Sequence, residues 1–188
     1  ISSEFRKEAR RQVVFLFAVA MGAVSPGWAT EPPHTPLDSL RAKAERHLRE
    51  DRPEEALAAL RQCLELGSGE AEDYLQLGRA YLSIGDGKAA IDAFKQAVKA
   101  GAQAQGYNEI GLVYLEGGRN LRRAEANFRR ALKRDKGFVE AQYNLGYLYL
   151  RYRPKKARKA FEKVIERAAD HQDAQFQLGL LLEKEKNL

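Results

Sequence analysis

The chain has 188 residues, room for one ordinary domain or one modest solenoid but not for two large catalytic domains of roughly 150 residues each. Its residues are 44% hydrophobic and 31% charged, with 15 Gly and 6 Pro, which suits a folded chain and excludes collagen-like and low-complexity classes. A net charge of +6 favours acidic partners without demanding nucleic acid, and the single cysteine, Cys63, excludes an internal disulfide and any paired-cysteine zinc or redox motif.

In chain order, residues 1–5 read as a cloning scar ahead of a native start at Arg6. Arg6, Lys7, Arg10 and Arg11 then precede a twelve-residue apolar run, Val13 to Val24, which exits through Ser25, Pro26, Gly27, Trp28 and Ala29. Charged, apolar and small-residue stretches in that order make an export signal over 6–29, cut after Ala29. The run is shorter than the about 20 residues of a membrane span, and an uncleaved interfacial anchor is the alternative. Three prolines make 30–36 an extended linker. The expected location is exported, either periplasmic or secreted.

From Leu37 the pattern turns helical and repetitive. Leu40, Ala44 and His47, then Ala56, Leu60 and Cys63, form a degenerate first copy. Tyr74, Leu77, Gly78 and Tyr81 align with Tyr107, Ile110, Gly111 and Tyr114, and the last three places recur as Leu145, Gly146 and Tyr149. An alanine and phenylalanine four apart follow each time: Ala90 and Phe94, Ala124 and Phe128, Ala157 and Phe161. Gln175, Leu178, Gly179 and Leu182 make a trailing half copy. The small residue falls at Ala44, Gly78, Gly111, Gly146 and Gly179, at intervals of 34, 33, 35 and 33. Glycine inside a helix costs about 1 kcal/mol against alanine. These glycines are therefore expected where a partner helix approaches closely, with the phenylalanines filling the space between pairs. Gly85, Asp86 and Gly87 break one pair, and Pro53 and Pro154 open second helices.

This pattern resembles the tetratricopeptide repeat family, and the resemblance runs from Leu37 to the end of the chain. It implies an all-α, right-handed solenoid of antiparallel helix pairs over 37–70, 71–103, 104–138 and 139–171, with a final helix over 172–186. The family's leading Trp and terminal Pro are missing, and an extra residue around Gly117, Gly118 and Arg119 is similar to the Sel1-type repeat. In this family the first helices of successive pairs line a concave groove that grips peptides. The resemblance places Leu75, Arg79 and Leu82 in that groove, then Asn108, Leu112 and Leu115, then Tyr143, Asn144, Tyr147, Leu150 and Arg151, and finally Phe176 and Leu180. Arg41 and Glu45 stand where some members carry a carboxylate clamp of Lys and Asn, so that clamp is not expected. The lining suits an extended segment or an amphipathic helix; for Leu112, Leu115 and Leu150, packing against the neighbouring first helix is the other reading.

No nucleophile and base, metal-ligand cluster or phosphate loop occurs at working spacing. His34, His47 and His171 fall in the linker, at a core position and in an inter-repeat turn, and Cys63 reads as an inert buried thiol. Neither catalysis nor a cofactor is expected. Charge, by contrast, is segregated: 10 basic and 14 acidic residues from Leu37 to Gly118 balance at −4, and 16 basic and 5 acidic from Arg119 to Arg167 at +11. Arg122, Arg129, Arg130, Lys133, Lys155, Lys156 and Lys159 fall on second helices, hence on the convex side. A solvated face, an acidic protein or anionic envelope surface, and nucleic acid compete for that patch; export and the shortage of interleaved aromatics count against nucleic acid.

The expected function is a non-catalytic protein–protein adaptor of the cell envelope, with a protein or peptide ligand, acidic where the basic face holds it. A self-assembling scaffold is the alternative, because Phe176, Leu178, Leu180, Leu181 and Leu182 leave the last helix apolar on more than one face and suit a homo-oligomer. A third reading has the basic convex face bind nucleic acid or anionic lipid.

Overall fold

The computed structural model describes residues 35–117 and 120–186. The expected scar, the export signal, most of the linker, and Gly118 and Arg119 of the insertion lie outside these. Apolar residues three and four apart give each segment one sticky stripe, and nine helices result among the described residues, with no strand. They are α1 (Pro36–Arg49), α2 (Pro53–Glu65), α3 (Ala71–Ser83), α4 (Gly87–Lys99), α5 (Gln103–Glu116), α6 (Leu121–Arg134), α7 (Val139–Tyr149), α8 (Pro154–Arg167) and α9 (Gln172–Lys186).

Local chemistry sets the ends. Pro53 and Pro154 sit in the first turns of α2 and α8, where the missing N–H would have had no helical acceptor. Asp86 caps α4 by accepting the Ala89 N–H at 2.9 Å, and Gly85 before it takes φ of 79°, a left-handed conformation that side chains disfavour. The chain thereby reverses between α3 and α4.

Helices α1 and α2, α3 and α4, α5 and α6, and α7 and α8 pack as pairs, and each second helix also packs on the next first helix, α8 on α9 included. First helices touch directly as well, α1 with α3 and α5 with α7. The core is a chain of three clusters along this stack, the one-dimensional arrangement of an α-solenoid, in which one pair alone cannot bury its apolar face.

Phe94, Phe128 and Phe161 are fully buried, and the repeating glycines make room for them. A Cβ on Gly78 would lie 2.3 Å from the Phe94 ring, one on Gly111 2.5 Å from Phe128, and one on Gly146 2.8 Å from Phe161. Gly179 departs from the expectation, with nothing within 4 Å of its Cβ position, because no second helix follows α9 among the described residues. Gly106 has a packing role that the repeat pattern did not reveal. Its Cβ would meet Val98 at 2.6 Å and the Phe94 carbonyl at 3.0 Å, so α5 seats on α4 at that point.

Cys63 and His47 are titratable groups that lie inside the stack. Cys63 is buried, and burial pushes its thiol pKa up. The His47 ring is also buried, and both its nitrogens lack a hydrogen-bond partner among the described residues. Burial first, and then the charge of Arg52, hold its pKa below the usual histidine value.

Candidate functional site

The first-helix positions separate into two rows with different fates. One row lies three residues before each small residue: Arg41, Leu75, Asn108, Tyr143 and Phe176. Its first four members turn toward the following repeat. Arg41 donates through Nε and Nη2 to the Asp73 carboxylate at 2.7 and 2.9 Å and reaches Glu70 at 3.0 Å. Burial pushes the Asp73 carboxyl pKa up, but the hydrogen bond and charge of Arg41, with smaller help from Ser68 and the Glu70 backbone, together leave the group below its ordinary value, while Arg41 itself is pushed upward. The geometry therefore assigns Arg41 to the joint between α1 and α3.

Two expected groove residues are corrected for the same reason. Leu75 is 3% exposed and Asn108 is 5% exposed; Leu75 shares a cluster with Ile110 of α5, and Asn108 accepts the Asn144 amide of α7 at 2.9 Å. Both are seams between repeats, and a ligand would not reach them. Tyr143 belongs partly to the same seam, stacked on His171 with ring centroids 4.9 Å apart and set against Phe161 at 5.6 Å; burial raises its hydroxyl pKa. Phe176 holds the equivalent place on α9 and is 63% exposed.

The second row lies one residue after each small residue: Glu45, Arg79, Leu112, Tyr147 and Leu180. It faces outward along the stack. Arg79 is occupied by ion pairs with Glu109 at 3.3 Å and Glu72 at 3.8 Å. Leu82, Leu112, Leu115 and Leu150 are half-buried against the cores beneath them. Toward α7 and α9 the row opens: Tyr147 is 51% and Leu180 47% exposed, and Tyr147 stacks on Tyr143 at 6.5 Å. Arg151 is exposed and lies 5.6 Å from the Tyr152 ring. The accessible groove residues are thus concentrated at Tyr147, Arg151, Phe176 and Leu180.

On the second helices Arg122, Arg129, Arg130, Lys133, Lys155, Lys156 and Lys159 are all exposed. Some are engaged. Glu125 takes Arg129 at 2.8 Å and Arg153 at 3.3 Å. The Tyr149 hydroxyl donates to Glu125 at 2.7 Å and accepts from Arg129 at 3.2 Å, and burial followed by Glu125 raises its pKa. Arg153 and Lys156 lie 5.6 and 5.8 Å over the same ring, and Arg130 lies 5.9 Å from that of Tyr107. The sequence reading treated Tyr149 as a repeat marker and passed over Glu125. The available signal was a single carboxylate in the otherwise basic α6. No group of three or more His, Cys, Asp or Glu that could hold a metal occurs among the described residues.

A tetratricopeptide repeat model matches residues 41–106 and 108–151, and a second model of the same description matches 140–171. No curated protein matches the chain. Among solved structures the chain is similar to pilF of Pseudomonas aeruginosa, with 22% identity and TM-score 0.71 over 81% of this chain and 70% of that one. It is also similar to YrrB, a TPR protein with an unusual peptide-binding site, with 25% identity and TM-score 0.56 over 77% of this chain and 75% of that one. The first TPR of Spaghetti (RPAP3), bound to an HSP90 peptide, is 18% identical with TM-score 0.57 over 62% of this chain and 96% of that one.

Proposed function

We propose that this chain, which belongs to the tetratricopeptide repeat family, is a non-catalytic adaptor of the cell envelope that holds a peptide or helix of a partner protein along its first-helix row. The observation that carries the reading is Tyr147, a large aromatic half in water at 51% exposure on the outward row, in line with Leu180 and close in sequence to Arg151. Tyrosine and arginine are the side chains that most often anchor interfaces, because both add large contact areas and directed hydrogen bonds. The peptide-binding site of YrrB and the peptide bound to Spaghetti support a peptide as ligand. The charged, apolar and small-residue order of residues 6–29 supports export.

The test compares capture from native envelope extract by the wild-type chain and by a Tyr147→Glu, Leu180→Glu variant whose helicity is unchanged. A protein held by the wild type and lost by the variant supports the adaptor reading. Identical capture by both overturns it. One further observation favours a self-assembling scaffold: Phe176 at 63%, Leu180 at 47% and Leu182 at 40% exposure leave α9 open. Mass measured across concentration and salt separates the two, since charge-driven stacking dissolves as salt rises.

A further inference from the structure

We propose another binding site, a cleft where the second helices α6 and α8 meet the first helix α7, that takes an acidic peptide segment with one apolar side chain between its carboxylates. The cleft has a volume of about 310 Å³, at the small end of ligand pockets and enough for one or two side chains. Its floor is apolar, from Leu132, Leu145, Ala160 and the Tyr149 ring, and its rim carries Arg129, Lys156, Lys159 and Lys163. Gln142, Leu145 and Tyr149 stand on the first helix α7 but outside its two groove rows, so the cleft opens on a different set of side chains from the groove.

Charge, a buried amide and the floor together select the ligand. Among the described residues Lys159 and Lys163 have no carboxylate within ion-pair distance, and Lys156 meets only the Tyr149 ring at 5.8 Å. Spaced three and four apart on α8, these ammonium groups repel one another, and an anion relieves all three at once. Arg129 alone of the rim is already neutralised, by Glu125 at 2.8 Å. Gln142, only 9% exposed, lines the cleft, and its side chain makes no hydrogen bond with any described residue. A carboxamide offers a donor and an acceptor together, which is what a peptide backbone needs.

The apolar floor argues against a bare inorganic anion, which would leave it uncovered, whereas a leucine-sized side chain would fill it. Single-stranded nucleic acid needs exposed rings on which to stack; the one aromatic of this cleft, Tyr149, is 5% exposed and part of the floor. A flat membrane surface would meet the rim lysines without reaching Gln142. An acidic peptide with a central apolar residue satisfies rim, amide and floor together.

The test titrates a fluorescent, end-blocked peptide EELEE into the whole chain at about 150 mM salt, where long-range attraction is screened. EESEE, inorganic phosphate, acidic vesicles and single-stranded RNA serve as rivals. EELEE is expected to bind roughly tenfold tighter than EESEE. Lys159→Glu is expected to weaken EELEE at least roughly tenfold and to flatten its salt dependence. Gln142→Leu should weaken it several-fold, by roughly 1 pair of hydrogen bonds, with the salt dependence unchanged, and Tyr147→Glu in the groove should leave it unaltered. Helicity is measured for each variant. The proposal is overturned if EELEE does not bind, if EELEE and EESEE bind alike, if Lys159→Glu binds as the wild type does, or if RNA or vesicles bind more tightly and are lost in the same variant.

Discussion

Gly78→Ala is expected to destabilise the protein even though alanine is the better helix former. The added methyl would stand 2.3, 2.6 and 2.7 Å from three carbons of the Phe94 ring, whereas carbon atoms rest at about 3.5–4 Å. The ring must retreat by about 1 Å, and it is fully buried, so it cannot swing into solvent. Overpacking of this kind costs about 1–3 kcal/mol, and a clash this close belongs at the upper end. The propensity gain of about 1 kcal/mol offsets part of it, leaving a net loss of about 1–2 kcal/mol. Gly179 provides the internal control. It holds the same repeat position with nothing within 4 Å, so Gly179→Ala keeps only the propensity term and stabilises by up to about 1 kcal/mol. Urea unfolding followed by helical circular dichroism reads both. The reasoning is refuted if the two substitutions shift the midpoint in the same direction, or if Phe94→Leu fails to reduce the loss in the Gly78→Ala background.

Arg41→Met strands the Asp73 carboxylate, which is 2% exposed, and is expected to cost about 3 kcal/mol in urea unfolding, with most of it recovered when Asp73→Leu is added. In the wild type the Asp73 pKa lies below its ordinary 3.8, so the stability from this pair is whole above that value and is lost as pH falls through the lower folded one. His47 has a lowered pKa, so the folded state resists its protonation. Stability is then whole above the ordinary 6.5 and declines as pH falls below it, and His47→Leu should flatten the dependence of the urea midpoint between about pH 8 and about pH 5.5; an unchanged slope would contradict this. The Cys63 thiol, buried and with a raised pKa, should react with an aromatic disulfide reagent only as fast as the chain unfolds. A burst of labelling under native conditions would show that it is accessible.

Much of the architecture is written in local sequence. The recurrence of a small residue every 33 to 35 positions, with alanine and phenylalanine behind it, specifies helix pairs, because a helical stripe repeats every three to four residues and a pair must stack on its neighbour to hide its apolar face. Gly78, Gly111 and Gly146 were legible as close contacts on the same ground, since a residue so poor in helix propensity persists where a side chain cannot fit. Gly179 shows the limit of that inference: the repeat register alone marks it, and whether anything packs there depends on a partner helix.

Tertiary structure decided which first-helix residues a ligand can reach. Leu75, Asn108 and Tyr147 all looked like groove residues, yet two face the next repeat and one faces water. Their separation depends on the rotation of one pair on the next, a relation among residues some 33 to 35 positions apart that no local period encodes. The same holds on the second helices. Sequence showed an excess of positive charge, but the folding of α6, α7 and α8 together placed Glu125 under two arginines and left Lys159 and Lys163 without a counter-ion among the described residues above an apolar floor. Charge can be counted along a chain, but its neutralisation depends on distances that exist only once the helices have packed.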